Sequence, residues 1–145
     1  MIEAEFISKF DDADAVDMSD TTTNITEENI KELHILADRY PQAQSAIIPM
    51  LHLVQSIDGK VSGEGVRHIA RILDLPEAVV LRVVTFYTMF HKEAVGKHLI
   101  GVCTTSLCAV MGGDMVYETV RKHLGLDGEG TTEDGAFTLE RVECN

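Results

Sequence analysis

The sequence lacks any long apolar run and any excess of positive charge. No stretch approaches the roughly 18 consecutive apolar residues that indicate a membrane-spanning helix, and the start has neither the basic nor the apolar region of a secretory signal. The 24 acidic residues outnumber the 12 basic ones, and the formal net charge of -12 would repel nucleic acid and anionic membrane surfaces. We therefore expect a soluble, unexported protein that neither binds nucleic acid nor inserts into a membrane.

Basic residues are also scarce at the amino terminus, where residues 1–24 are acidic and rich in threonine. A mitochondrial transit peptide is instead rich in arginine and poor in acidic residues, so this composition favours a bacterial cytoplasmic protein. The segment has no sustained apolar period with which to build a core. We expect residues 1–24 to be a flexible acidic leader.

Only three cysteines are present, and an odd number cannot pair completely within one chain. Because cytosolic thiols are kept reduced, disulfides are not expected to hold the fold, and metal or redox chemistry becomes a candidate role. The six histidines are scattered and form no metal-binding spacing with the cysteines. No glycine-rich phosphate-binding pattern occurs, so we expect no nicotinamide or flavin site in this chain.

Residues 25–92 have the apolar spacing and the end signals of four short helices. The predicted helices begin near Thr26, Ser45, Ser62 and Pro76, and the last one ends near Phe90. Residues 79–87 are also rich in strand formers, but the length of this segment and the proline at its head favour a helix. We expect a compact four-helix unit with short connections.

The pattern changes after the helical region. Residues 97–102 form a short strand-like run that leads directly to Cys103, and Asp114 is positioned to cap an amphipathic helix. The residue pattern of 137–143 predicts a second strand, which leads to Cys144. This order of strand, cysteine loop, helix and strand predicts the first part of an α/β domain, so the fold class of the whole chain is α+β.

Cys103 and Cys108 enclose the four residues Thr-Thr-Ser-Leu and form the densest chemical motif in the chain. Spacers of four residues occur in plant-type [2Fe-2S] ferredoxins, whereas zinc loops often use two to four and thioredoxin-type dithiols use two. The small polar spacer suits a loop around an anionic cluster, and Gly112-Gly113 allows a close approach of backbone. On spacing alone, an iron–sulfur centre, a zinc or dithiol site, and buried structural cysteines all stay open.

Further blocks of sequence accompany this motif in order between Ile30 and Cys144. They are Tyr40-Pro41, Ser45-Ala46, Pro49 with Leu51 and Gln55, Thr85-Phe86-Tyr87, Met89-Phe90, Gly96-Lys97-His98, Val102-Cys103-Thr104-Thr105 with Cys108, Asp134-Gly135, Phe137-Thr138-Leu139-Glu140 and Val142-Glu143-Cys144. In these blocks the chain resembles the E-chain family of bacterial NADH-quinone oxidoreductase (respiratory complex I). The members of that family are thioredoxin-like [2Fe-2S] ferredoxins. It departs from the family at Leu107, where proline is usual, and at Asn145, where leucine is usual.

The resemblance implies a four-helix unit over residues 25–92, followed by a thioredoxin-like α/β ferredoxin domain over residues 93–145. It implies that Cys103, Cys108 and Cys144 are three of the four thiolate ligands of a [2Fe-2S] cluster. In the family the fourth cysteine follows the third after three intervening residues, which lies beyond the end of this sequence. We therefore expect the ferredoxin domain to be incomplete here and the chain to be a fragment of a longer one.

The resemblance also implies an electron-transfer subunit of NADH-quinone oxidoreductase, with no substrate-converting site in this chain itself. FMN and NADH would then belong to a partner flavoprotein subunit, whose flavin exchanges single electrons with the cluster. The implied location is the peripheral arm of complex I, on the cytoplasmic face of the bacterial membrane.

Two alternative functions stay open. One is the small [2Fe-2S] subunit of an NAD-dependent formate dehydrogenase or of a bidirectional hydrogenase. The other, from a different class, is a zinc-stabilised interaction module without redox activity.

Overall fold

The computed structural model describes residues 16–144, which form six α-helices and one small three-stranded mixed sheet. This arrangement confirms the predicted α+β fold class. The chain divides between Ala94 and Val95 into two compact units, a helical unit and a sheet unit. Within the described residues, no helix has both the length and the apolar character needed to span a membrane.

The helical unit contains four α-helices and a single turn of 3-10 helix. Their bounds are α1 Glu27–Asp38, the 3-10 turn Ala43–Ala46, α2 Ile47–Asp58, α3 Gly63–Leu73 and α4 Glu77–Phe86. The side chains of Thr26 and Ser62 cap α1 and α3, and Gly59 ends α2 in the left-handed conformation. The last helix ends at Phe86 instead of near Phe90, because the backbone turns extended at Tyr87.

The core of the helical unit comes from one apolar face of each helix. Its fully buried side chains include Leu33, Ile47, Met50, Leu51, Val54, Val66, Ile69, Val80 and Val84. Gly65 allows α3 to approach α2 closely, since a Cβ atom there would lie 2.3 Å from Cγ1 of Val54. A larger side chain at this position would have to displace a fully buried neighbour.

Residues 16–24 pack on the helical unit. Val16 joins the apolar core, and Lys60 forms a 2.9 Å ion pair with Asp20. Asp58, at the end of α2, accepts hydrogen bonds from the Thr23 hydroxyl at 2.9 Å and from the Asn24 amide at 2.7 Å. The predicted acidic leader comprised residues 1–24; its first 15 residues lie outside the described part, whereas the rest is held by these contacts.

We expect Asp58→Ala to lower the free energy of unfolding by about 2 kcal/mol, because its carboxylate also accepts a 2.6 Å hydrogen bond from the buried Ser62 hydroxyl. Urea unfolding followed by circular dichroism measures the change. The matched control is Asp38→Ala, which removes an exposed carboxylate from the end of α1 and should shift stability by less than about 0.5 kcal/mol. Equal losses in the two variants would show that the Asp58 contacts do not stabilise the fold.

The sheet unit contains three strands and two helices. Their bounds are β1 His98–Cys103, α5 Ser106–Val110, α6 Gly113–Leu124, β2 Gly130–Thr131 and β3 Phe137–Val142. The strand order is β1-β3-β2, with β1 parallel to β3 and β2 antiparallel to it. The sequence patterns predicted β1, α6 and β3, but neither the short α5 nor β2.

The predicted capping role of Asp114 is wrong. Gly112, with a φ of 100°, occupies the N-cap of α6, and Asp114 lies in the first turn. Its carboxylate instead accepts a 2.7 Å hydrogen bond from Arg141, whose guanidinium carbon lies 3.9 Å from the centroid of the Tyr117 ring. Tyr117 and Leu139 are buried between α6 and the sheet. The contacts of Arg141 with Asp114 and Tyr117 therefore help to hold α6 against β3.

Candidate metal centre

Two of the three cysteines are placed by the parallel pairing of β1 and β3. Cys103 is the last residue of β1 and lies opposite Val142, the last residue of β3. Cys144 follows two residues later, and the Thr104 amide donates a 3.2 Å hydrogen bond to the Val142 carbonyl. Because the carboxyl ends of parallel strands meet at one edge of a sheet, the two cysteines lie side by side there.

Cys108 is placed by a local turn. The sequence predicted both motif cysteines on a loop, but Cys103 is the last residue of β1 and Cys108 lies within α5, which begins three residues after Cys103. One turn of helix returns the chain toward β1. The four-residue spacer therefore brings the second thiol back beside the first.

The sulfur atoms of Cys103, Cys108 and Cys144 all lie within 4.8 Å of one another. All three are free thiols, the first two half-buried and Cys144 exposed. In the described part of the chain, this is the one group of three or more Cys, His, Asp or Glu side chains arranged to hold a metal ion. The structure thus brings together the three residues that the sequence analysis named as ligands.

At Gly113, α6 packs closely against the backbone of the cysteine site. A Cβ atom at Gly113 would lie 2.5 Å from the carbonyl oxygen of Cys103 and 2.9 Å from that of Cys108. Both distances are shorter than a van der Waals contact permits, so α6 reaches the cysteine backbone only because residue 113 has no side chain. This confirms at Gly113 the prediction that Gly112-Gly113 allows a close approach of backbone, whereas a Cβ atom at Gly112 would meet only the Met115 side chain, at 3.6 Å.

The hydroxyl of Thr105 lies between two of the sulfurs, at 3.0 Å from Cys103 Sγ and 3.0 Å from Cys144 Sγ. Hydrogen bonds from Thr105, side chain first, lower the pKa of Cys103 to about 6. The hydrogen bond to Cys103 raises the pKa of Cys108. The sequence marked Thr105 only as a small polar neighbour; a hydroxyl inside the spacer was the one available signal of this contact.

The donor chemistry fits a thiolate-bound metal centre. Three sulfurs converge without any histidine or carboxylate among the described residues of the group. Thiolates are soft ligands that select zinc, copper(I) or iron–sulfur clusters over hard cations such as magnesium. Geometry alone therefore fits both an iron–sulfur cluster and zinc.

An exposed apolar surface adjoins the cysteines in sequence. It consists of five side chains on α5, on the turn after it and on the start of α6, all between 51% and 86% exposed. These five residues, here named the apolar patch, are Leu107, Val110, Met111, Met115 and Val116. Exposed apolar side chains that lie together are candidates for a surface that another segment or another molecule covers.

A protein-family model described as thioredoxin-like [2Fe-2S] ferredoxin matches residues 33–145. The match includes all three cysteines and most of the helical unit. It favours an iron–sulfur cluster over zinc at the thiol group, since that cluster gives the family its description.

Several curated proteins are similar to this chain. The E chain of NADH-quinone oxidoreductase from Mycobacterium tuberculosis is 47% identical over 107 residues, which cover 74% of this chain and 42% of the relative. The corresponding E chain from Rickettsia conorii is 36% identical over 132 residues, covering 88% of this chain and 79% of the relative. NADH dehydrogenase [ubiquinone] flavoprotein 2 of Dictyostelium discoideum is 35% identical over 127 residues, covering 86% of this chain and 51% of the relative. The chain thus spans about half or less of the Mycobacterium and Dictyostelium relatives.

Proposed function

Since this chain belongs to the thioredoxin-like [2Fe-2S] ferredoxin family, we propose that it is an electron-transfer subunit of NADH-quinone oxidoreductase. Cys103, Cys108 and Cys144 bind its [2Fe-2S] cluster. The observation that carries the proposal is the convergence of these three sulfurs to within 4.8 Å of one another. The names of the relatives favour the respiratory complex over a formate dehydrogenase or hydrogenase module, and the neighbouring genes would discriminate between them.

A [2Fe-2S] cluster of this kind takes four thiolate ligands, and the sequence contains three cysteines. We propose that the fourth is a cysteine placed after Cys144, as the family resemblance implies.

The cluster supplies a site that accepts and returns one electron. This chain's own residues would hold it: the strand ends fix Cys103 and Cys144, α5 presents Cys108, and Gly113 packs α6 against the backbone of the site. No substrate is converted at these residues. FMN and NADH belong to a partner flavoprotein subunit in the peripheral arm of the complex, on the cytoplasmic face of the membrane.

The apolar patch is the surface that the flavoprotein subunit covers. Leu107 directly precedes Cys108, so a partner seated on the patch lies beside the cluster. Covering it removes five exposed apolar side chains from water and shortens the path of an electron between flavin and cluster. The patch and the thiol group thus act as one electron-exchange surface.

We expect Met111→Glu to reduce the amount of flavoprotein subunit that copurifies with this chain by at least tenfold, because it buries a charge in an apolar interface. Affinity purification from cells that express both subunits measures the ratio. His123→Glu, an exposed change in the last turn of α6, is the control and should leave the ratio unchanged. Full copurification of the Met111 variant would show that the patch is not the docking surface.

Electron exchange is tested with NADH and the copurified pair of subunits under anaerobic conditions. We expect NADH to bleach the visible absorbance of the cluster when the flavoprotein is present, and to leave this chain unchanged when it is absent. A cluster that stays oxidised in the pair, although dithionite reduces it, would contradict exchange with the flavin.

A further inference from the structure

We infer that the Thr105 hydroxyl donates a hydrogen bond to the thiolate of either Cys103 or Cys144 and thereby raises the reduction potential of the cluster. The inference rests on the proposed function, because it assigns Thr105 a role toward the cluster that these cysteines bind. It makes Thr105 a positioning and tuning residue and not a ligand.

The first observation is the position of the hydroxyl. Thr105 Oγ1 lies 3.0 Å from the sulfur of Cys103 and 3.0 Å from that of Cys144, although the two cysteines are 41 residues apart in sequence. Both distances are within hydrogen-bond range for an oxygen and a sulfur. Thr105 therefore connects the ends of β1 and β3 at the site itself.

The second observation is what this hydroxyl does not do. Thr105 occupies the N-cap of α5, where a threonine side chain usually accepts a hydrogen bond from the backbone of the first turn. Its side chain makes no capping bond, whereas Thr26 and Ser62 both cap their helices. The Thr105 hydroxyl is directed to the sulfurs in place of the usual partner.

A hydroxyl carries one hydrogen, so it donates to one sulfur at a time. Thiolate ligands carry negative charge and accept it, and a hydrogen bond to a charged acceptor is stronger than one to a neutral acceptor. Reduction adds one electron to the cluster, with no covalent bond made or broken, and increases the charge on the thiolates. The hydrogen bond therefore stabilises the reduced state more than the oxidised state, which raises the potential.

Three single substitutions in the full-length, cluster-loaded protein separate the hydroxyl from the shape of the side chain. Thr105→Val keeps the branched shape and removes the hydroxyl, whereas Thr105→Ser keeps the hydroxyl and removes a methyl group. Ser106→Ala removes the neighbouring hydroxyl, which is exposed and makes no hydrogen bond among the described residues. The midpoint potential of each is measured by a redox titration with mediators, followed by electron paramagnetic resonance (EPR).

We expect Thr105→Val to lower the midpoint potential by about 59 mV, which is a tenfold change in the one-electron equilibrium. Thr105→Ser and Ser106→Ala should keep the potential of the unsubstituted protein. When water is replaced by deuterated water, hyperfine spectroscopy of the reduced cluster should show one proton coupling replaced by a deuterium coupling. The valine variant should lack this exchangeable hydrogen and the serine variant should keep it.

A valine variant with an unchanged potential overturns the inference and leaves the proposed function standing. Absence of any cluster in the unsubstituted full-length protein overturns both. Should the valine variant fail to load a cluster while the serine variant loads it, the serine variant decides: the unchanged potential and the exchangeable hydrogen coupled to its cluster support the inference, and the absence of that hydrogen overturns it. Failure of both variants to load would show that the site needs the hydroxyl and the methyl group together, which is a structural role, and would overturn it.

Discussion

Replacing Cys103 with serine in the full-length protein is expected to remove more than nine-tenths of the EPR signal of the reduced cluster. A serine oxygen is a harder and less readily ionised ligand than a thiolate, and iron–sulfur clusters select soft sulfur ligands. The position is also constrained, because Cys103 ends β1 and its sulfur lies within 4.8 Å of the other two. The remaining cysteines alone cannot complete the ligand set.

The signal is measured on protein purified anaerobically, with iron and sulfide determined on the same sample. Ser106→Ala, a change of similar size inside the same spacer, is the control and should retain the signal. A Cys103→Ser protein that keeps the whole signal would refute the assignment of Cys103 as a ligand.

Gly113→Ala is expected to lower the iron content per chain by more than half, although the substituted residue touches no metal. The added methyl group would meet two carbonyl oxygens, at 2.5 Å from that of Cys103 and 2.9 Å from that of Cys108. These atoms belong to the backbone that presents both thiols, so relieving the overlap moves the site. Overpacking of this kind usually costs about 1 to 3 kcal/mol.

The control is Gly128→Ala in the same unit, because a Cβ atom there meets nothing within 4 Å. Both variants are compared with the unsubstituted protein for iron content and for thermal unfolding. Equal iron content in the two variants would show that the close packing of α6 against the cysteine backbone is not needed for cluster binding.

The helical unit was largely predictable because its signals are local. The residues that cap α1 and α3, Thr26 and Ser62, each act within one turn of their own helix. The segment 79–87 was ambiguous from composition, yet Val80 and Val84 are spaced one helical turn apart and both are fully buried. That period of burial selects the helix over the competing strand.

The elements that sequence reasoning missed depend on contacts between distant residues. β2 contains only two residues and pairs with β3, where the Thr131 and Thr138 hydroxyls lie 2.7 Å apart. The interaction of Asp114 is decided by Arg141, which is 27 residues further along the chain. Patterns within a short window do not contain such partners.

The candidate site could be predicted only in part, because it too depends on contacts between distant residues. Spacing drew attention to Cys103 and Cys108, and the family resemblance added Cys144, but spacing alone left zinc and structural roles open. The contact of Thr105 with two sulfurs exists only because parallel pairing brings the ends of β1 and β3 together. The residue types could be read from the sequence, whereas this contact required the fold.

The central claim is that the thiol group of Cys103, Cys108 and Cys144 binds a [2Fe-2S] cluster, and one measurement tests it most directly. The full-length protein, purified anaerobically, is analysed for metal and acid-labile sulfide together with its visible absorption and its EPR spectrum after reduction. We predict two irons and two sulfides per chain, visible thiolate-to-iron absorption bands and a rhombic EPR signal that appears on reduction. A colourless protein that contains one zinc and no sulfide would contradict the claim.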